Sequence, residues 1–295
     1  MTTTTTRERT SFQGALGAFS EEAVRILAPE SEPVPRPSFE AVVKAVERGE
    51  DRWGVVAVEN TLAGAVAEAY DALEGGDVLA IGEVAIPIRH CLLGVRGASI
   101  AQLREARTHP VALSQCKAFF ARHPTIRPQA VYDTAGAAAE VAASGDPTVA
   151  AIASRRAGER YGLEVLEADL QDRDDNQTRF YLIARSSAAG TSPAAASAGK
   201  DEGPFKTACV VELENRPGAL HQLLGVFAAR GLDLSHVASR PAASPWTYRF
   251  ILEFGHATRR EGVDAIAAAK TLSARLRVLG TFPAWRSRAV PEPRS

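Results

Sequence analysis

Thr178 and Arg179 stand between the polar stretch Asp175-Asn176-Gln177 and the apolar run Phe180-Tyr181-Leu182-Ile183. A strand that begins with such a pair presents it at the rim of a cleft. A hydroxyl donor beside a fixed guanidinium suits a small dianion that must lose an oxygen. Two roles are open to Arg179: pairing with a substrate carboxylate, or bracing the cleft through Asp172 or Asp174. Asn60 and Thr61 form a second polar pair, after the apolar run 53–58 and before a helical pattern near Gly64. Their side chains and amides suit a carboxylate, and helix capping is the other use of such residues. Gly14, Gly17 and Ala18 follow the first strand, where small residues permit close backbone approach to an anion. Thr134 opens a helical pattern as a cap would. Gln115, in the helix after His109-Pro110, either reaches the cleft or packs. His90 and His109 lie beside apolar residues or proline, a setting that favours a structural hydrogen bond over acid/base chemistry. No Cys/His spacing matches a metal site, so chemistry without a cofactor is expected.

The elements that must position these residues are legible as alternating patterns. Near-continuous apolar runs at 53–58 and 148–153 read as parallel strands covered on both faces. Apolar residues recur at helical spacing in 39–48, 64–73, 111–122 and 134–143. This is an α/β pattern, whose ligands bind outside the carboxyl ends of the strands, where Asn60, Thr61 and Thr134 fall. The run 78–93 is too long for one compact sheet and is expected to cross between two lobes, with 178–184 as the return crossing. The stretch 186–203, rich in Ala, Ser, Gly and Pro, reads as a flexible linker. Beyond it come a strand at 205–214, a helix at 217–230 opened by Pro217, strands at 232–240 and 246–254, a helix at 261–274 and a strand near Val278. That βαββαβ order is the α+β ferredoxin-like arrangement.

A chain of 295 residues exceeds one small core and suits two or three compact units. Its 34 Lys and Arg against 35 Asp and Glu, with no basic stripe, argue against nucleic acid as a partner. No apolar run approaches the roughly 20 residues needed to span a bilayer, and the N-terminus lacks an apolar signal core. No membrane partner and a cytoplasmic location are therefore expected. Cys91, Cys116 and Cys209 are odd in number and lie in apolar settings, as buried reduced thiols do.

Taken in order, Gly14-Ala15-Leu16-Gly17-Ala18-Phe19-Ser20, Val58-Glu59-Asn60-Thr61, His90-Cys91-Leu92-Leu93, His109-Pro110-Val111-Ala112-Leu113-Ser114-Gln115-Cys116, Asp133-Thr134-Ala135-Gly136-Ala137-Ala138 and Thr178-Arg179-Phe180 resemble the prephenate dehydratase family. Leu279-Gly280-Thr281-Phe282-Pro283 is similar to that family's C-terminal signature, so the resemblance covers about residues 11–283. Phe12-Gln13-Gly14 and the stretch from Tyr132 to Ala138 are nearest the form of plant-type relatives that accept arogenate. Asn215-Arg216-Pro217-Gly218-Ala219-Leu220 and Ser239-Arg240-Pro241 together resemble an ACT domain, a regulatory module that binds amino acids.

The resemblance implies a two-lobed α/β catalytic domain like a type II periplasmic binding protein, with its site in the interlobe cleft, followed by an α+β ferredoxin-like ACT domain. The implied organisation is a disordered N-terminus to residue 9, a catalytic domain at 10–185, a linker at 186–204, an ACT domain at 205–285 and a disordered tail at 286–295. Lobe 1 would hold about 10–90 and 176–185, and lobe 2 about 91–175. The implied reaction turns prephenate into phenylpyruvate, water and carbon dioxide in phenylalanine biosynthesis. Arogenate dehydration is the alternative, and a non-enzymatic amino-acid sensor the rival from another class. Thr178 and Arg179 are the implied catalytic residues, and Gly17, Ala18, Asn60, Thr61, Gly64, Gln115, Thr134 and Phe180 the substrate-binding ones. Asn215, Pro217, Gly218, Ala219, Leu220, Ser239, Arg240 and Pro241 would receive L-phenylalanine as effector, in a homodimer or tetramer. The chain departs from the family pattern at Thr61 (usually Ser), at Val111 and Ser114 (often Gln and Ala), and at Ala238, where a Glu is common. The last change removes a carboxylate from recognition of the effector's amine.

Overall fold

The computed structural model describes residues 7–191, 202–242 and 247–285. Of the segments expected to be disordered or flexible, residues 1–6 of the N-terminal nine, 192–201 of the linker and the tail at 286–295 lie outside the described residues. Lobe 1 opens with β1 (Arg9–Gln13), α1 (Phe19–Leu27), β2 (Glu32–Arg36), α2 (Phe39–Arg48), β3 (Trp53–Asn60), β4 (Gly64–Ala65), α3 (Ala67–Gly75) and β5 (Val78–Pro87). Lobe 2 holds β6 (Cys91–Gly94), β7 (Glu105–Thr108), α4 (Pro110–Ser114), α5 (Lys117–Arg122), β8 (Arg127–Ala130), α6 (Thr134–Ser144), β9 (Val149–Ala153), α7 (Arg155–Tyr161) and β10 (Glu164–Glu167). The chain returns to lobe 1 as β11 (Gln177–Arg185). The C-terminal domain comprises β12 (Glu202–Glu212), α8 (Ala219–Ala228), β13 (Leu234–Pro241), β14 (Tyr248–Thr258), α9 (Arg259–Lys270) and β15 (Arg275–Pro283).

Local chemistry explains where the helices begin. Ser38 caps α2 by accepting from the Ala41 amide, Asp133 caps α6 by accepting from Ala135 and Gly136, and Ser154 caps α7. The first turns of α1 and α3 have no side-chain cap, and both starts face the space between the lobes.

Two sheets result. Lobe 2 carries a five-stranded sheet in the order β10-β6-β9-β7-β8, and a ten-stranded sheet runs through lobe 1 and the C-terminal domain. The join is a single residue pair, Gly280 with Ala80. A Cβ on Gly280 would lie 2.2 Å from the Ala80 carbonyl oxygen, so only glycine lets β15 approach β5. The buried side chains follow the same logic. One apolar cluster spans the two lobes, bringing Phe12, Val55 and Phe180 against Val141, Ala151 and Ala153. A second joins lobe 1 to the C-terminal domain, with Val58, Tyr181 and Ile183 against Val210, Ile251 and Phe282. Lobe 2 and the C-terminal domain also have cores of their own.

Several expectations are corrected. The run 78–93 is not one strand: β5 stops at Pro87, which has no N–H for a continuing ladder, and 88–90 carry the chain across. The return crossing is 168–176, since β11 lies wholly within lobe 1 between β3 and β5 and antiparallel to both. The lobe 1 sheet is therefore mixed, with only β1, β2 and β3 parallel. Arg9 belongs to β1, tied to the buried Asp51, rather than to a disordered end. Residues 111–122 form two short helices, because α4 ends at Ser114. Ser186–Thr191 winds as a 3-10 turn where a flexible linker was expected, and β12 starts at Glu202. Helix α8 begins at Ala219, because Gly218 before it is left-handed at φ 80°, which leaves Pro217 outside the helix.

Candidate active site

A cleft of about 460 Å³ lies between the lobes. Its floor is the end of β1 (Gln13, Gly14), the end of β3 (Asn60) and the start of β11 (Thr178, Phe180). Lobe 2 contributes His109, Gln115 and the Asp133-Thr134 start of α6, and His90 enters from the crossing segment. At its centre Asn60 and Thr178, 118 residues apart in sequence, are brought together by the β3–β11 ladder, in which they are paired. Asn60 Nδ2 lies 3.0 Å from Thr178 Oγ1 and shares its two hydrogens among that oxygen, Asn176 Oδ1 and the Gln177 carbonyl. Asn60 Oδ1 accepts from the Leu62 and Ala63 amides, which fixes the orientation of the side-chain amide. With its oxygen accepting from Asn60, the Thr178 hydroxyl keeps its own proton for an acceptor in the cleft, and the accepted bond polarises it as a donor.

His90 is buried and paired through Nε2 with Gln115 Oε1 at 3.1 Å. Its Nδ1 has no hydrogen-bond partner. Burial holds the imidazole below its ordinary value, against the opposing effect of Gln115, so the neutral ring is favoured. Among the described residues lining the cleft there is no lysine or arginine. The uncapped starts of α1 and α3, where Phe19, Ser20 and Val66 line the space, offer backbone amides to an anion, while Glu68 and Asp133 bring carboxylates to the same cleft.

Arg179 is not in this cleft. Side chains alternate along a strand, so Thr178 and Phe180 face the cleft while Arg179 and Tyr181 face the C-terminal domain. The guanidinium contacts Glu253 with both terminal nitrogens, Glu59 at 2.7 Å and Glu83 at 3.2 Å. This corrects the setting expected for it: the guanidinium faces away from the cleft, and neither Asp172 nor Asp174 braces it. Asp172 is spent capping α5 through the Lys117 and Ala118 amides. Burial works against the Arg179 cation, but the facing Tyr181 and Glu253 outweigh it and its pKa is raised. Glu253 is itself fully buried. Burial pushes its carboxyl up, and Arg179 brings it below the ordinary value.

Comparison with known proteins places this geometry. The family model for prephenate dehydratase matches residues 10–188, and that for the ACT domain residues 207–269. The chain belongs to the prephenate dehydratase family. Its activity is the decarboxylating dehydration of prephenate in phenylalanine biosynthesis. The arogenate dehydratase/prephenate dehydratase 2 of Arabidopsis thaliana is 36% identical over 289 residues, 94% of this chain and 73% of that one. The prephenate dehydratase of Arthrobacter aurescens, solved in complex with L-Phe, superposes with a TM-score of 0.82 at 29% identity, covering 94% of this chain and 90% of the other. GqqA, described as a novel type of quorum-quenching acylase, gives 0.81 at 31% identity over 94% and 98% of the two chains.

Of the family residues expected to bind substrate, Ala18, Asn60, Gln115, Thr134 and Phe180 line the cleft. Gly17, Thr61 and Gly64 do not. Gly17, at φ 92°, is pressed on Ala157, whose Cα would stand 2.8 Å from any Cβ there. Its carbonyl accepts from the Ser154 hydroxyl, so it shapes the loop without touching the space. The Thr61 hydroxyl donates to the Asp175 carbonyl and accepts from the Gln177 amide, stapling β3 to the chain entering β11. Gly64 turns the chain into β4 with open space beside it. Asp133 has a part beyond those expected: besides capping α6 it accepts from the Ala15 amide at 2.9 Å and so ties lobe 2 to the 14–18 loop. The Asp-Thr start of a helical pattern signals the cap; the second bond has no signal in the sequence. In the ACT domain, Asn215 to Gly218 form the turn from β12 into α8, Ala219 and Leu220 open that helix, and Ser239 to Pro241 end β13. Arg240 pairs with Asp71 of lobe 1, and Ala238 packs on the apolar cluster shared with lobe 1.

Proposed function

We propose that Thr178 is the hydrogen-bond donor to the leaving hydroxyl and that Asn60 holds it in that role; the 3.0 Å contact between them carries this reading. In the reaction the bond from the ring to its carboxylate breaks, its electron pair enters the ring, and the bond to the ring hydroxyl breaks on the opposite side. One proton joins the departing hydroxide to give water, and the products are phenylpyruvate and carbon dioxide. A threonine hydroxyl is no net proton source, so solvent supplies the proton while Thr178 stabilises charge developing on the oxygen. The substrate carboxylates meet the amide ends of α1 and α3, and Phe180 offers an apolar wall to the ring. Among the described residues no group of three His, Cys, Asp or Glu side chains is arranged to hold a metal ion. The test is phenylpyruvate formation from prephenate by the wild-type and Thr178→Ala proteins; equal rates would end the assignment.

Arogenate is the second substrate to try, because the Arabidopsis relative carries both activities in its name. Assay of phenylalanine formation from arogenate beside the prephenate assay ranks the two. L-Phenylalanine is the effector, a reading supported by the ACT match and by the L-Phe complex of the Arthrobacter protein. The chain assembles as a homodimer or tetramer, since β13 is an edge of the ten-stranded sheet and offers its outer backbone to a second copy. A cytoplasmic location suits the three cysteines, which are free and buried. No helix among the described residues is long and apolar enough to cross a membrane.

A further inference from the structure

The two strands that supply the catalytic pair each place a charged neighbour on the opposite face. On β3, Asn60 faces the cleft and Glu59 faces the ACT domain; on β11, Thr178 faces the cleft and Arg179 faces the ACT domain. The register pairs Thr178 with Asn60 and Arg179 with Glu59. The front pair is bonded at 3.0 Å and the back pair at 2.7 Å. The β3–β11 ladder shifts register just beyond them, between Arg179 and Phe180, whereas the β5–β11 ladder is regular from Gln177 to Leu182, so the contact between the two pairs across β3 and β11 is the less firmly fixed side.

The back pair is held by the ACT domain. Glu253, on β14, accepts from both terminal nitrogens of Arg179 and from the hydroxyls of Tyr70 and Tyr181. All four donors come from lobe 1, so a buried carboxylate of one domain fills a socket made by the other. His236, on β13, stands with Nδ1 3.1 Å from Glu59 Oε1 and its ring stacked on Tyr70. Only 13% of the Arg179 side chain is exposed, so water cannot readily replace these bonds.

We infer that Glu253 and His236 are positioning residues for Asn60 and Thr178, acting through Arg179 and Glu59, and that changes in the ACT domain reach the cleft by this grip. The inference rests on the dehydratase reading for its kinetic readout and on the geometry alone for its second one. A carboxylate that withdraws from the socket leaves Arg179 to Glu59 and Glu83 alone, and loosens the hold on the backbone that carries Thr178. Displacement of a donor by a fraction of an ångström is costly in an active site that depends on preorganisation.

The experiment compares full-length wild type with Glu253→Gln, alone and in the Thr178→Ala background. For Glu253→Gln the expected result is a fall in kcat of roughly tenfold with KM within about twofold. In the Thr178→Ala background the same change should lower kcat no further, because the group being positioned is gone. Purely structural damage would instead multiply the two losses. Hydrogen exchange gives the readout that needs no activity: amides of residues 57–62 and 176–181 should exchange faster in Glu253→Gln than in wild type, with lobe 2 unchanged. A wild type inert on prephenate and arogenate defeats the dehydratase reading, and exchange then decides the grip alone. Wild-type kcat in Glu253→Gln, losses that multiply in the double variant, or unchanged exchange in those segments would overturn the inference. If Glu253→Gln does not fold, His236→Asn removes the milder contact, and the same measurements apply with the same outcomes.

Discussion

At the scale of single residues, function depends on which hydrogen each polar atom holds. Thr178 accepts from Asn60, so its own proton is available. Thr178→Ala should lower kcat by roughly 100-fold, the scale for loss of one preorganised donor, and leave the melting temperature nearly unchanged. Thr178→Ser, which keeps the hydroxyl, should recover most of the activity in the same assay. Neutral His90 belongs to the folded protein. Its pKa is lowered from 6.5 by burial, so the unfolded chain takes up a proton at a pH where the folded one does not. Stability is then fully present above about pH 6.5 and declines as pH falls toward the folded value. Melting curves from pH 8 to pH 5 should show this decline in wild type and a shallower one in His90→Gln. Equal slopes would remove His90 as its source.

At the scale of elements, the decisive arrangement is the entry of β11 between β3 and β5, where each residue of the Thr178-Arg179 pair serves a different partner. A second element-scale device is Asp133, which caps α6 in lobe 2 and binds the Ala15 amide of lobe 1. Asp133→Ala should cost about 1 kcal/mol for the lost cap. It should also raise KM more than it changes kcat, because the 14–18 loop borders the cleft. A KM equal to wild type in steady-state assays would show that the loop holds its place without this bond.

At the scale of the whole molecule, the ACT domain is fastened to lobe 1 by ion pairs and a shared apolar cluster. Deleting it would leave Glu59, Glu83 and Arg179 without their cross-domain partners, so a point change is the cleaner probe of regulation. Gly218 is left-handed and nothing lies within 4 Å of a Cβ built there. Gly218→Asp would place an anion at the turn expected to receive the effector's carboxylate. The phenylalanine concentration for half-inhibition should rise by about fivefold or more, with uninhibited activity retained. An unchanged inhibition curve would move phenylalanine to the catalytic cleft, as a competitor resembling product. The domain junction should also be sensitive to acid. The hydrogen bond from His236, with Arg179 opposite, lowers the Glu59 carboxyl from 4.5 to about 2. Its contribution is present above the ordinary carboxylate range and is lost as pH falls from about 4.5 toward 2. Glu59→Gln should flatten the acid limb of a melting-temperature profile over that window.

The order of strands and helices, the cleft position of Thr178 and Asn60, and the turn at Gly218 are all carried by local pattern: apolar period, caps and glycine. Strand alternation is enough to turn Thr178 and Arg179 to opposite faces, yet as an adjacent polar pair they read as sharing the cleft. It did not determine what each face meets. Arg179 would serve a substrate carboxylate if the cleft lay on its side, and it meets Glu253 because the ACT sheet covers that side instead. Glu253 itself is an unremarked acid within an apolar strand pattern, and its partners are 72 to 183 positions away in the chain. The bond from Asp133 to Ala15 is equally remote. Local preference acts over a few residues, whereas these contacts depend on how complete lobes and domains pack, and only the tertiary structure decided them.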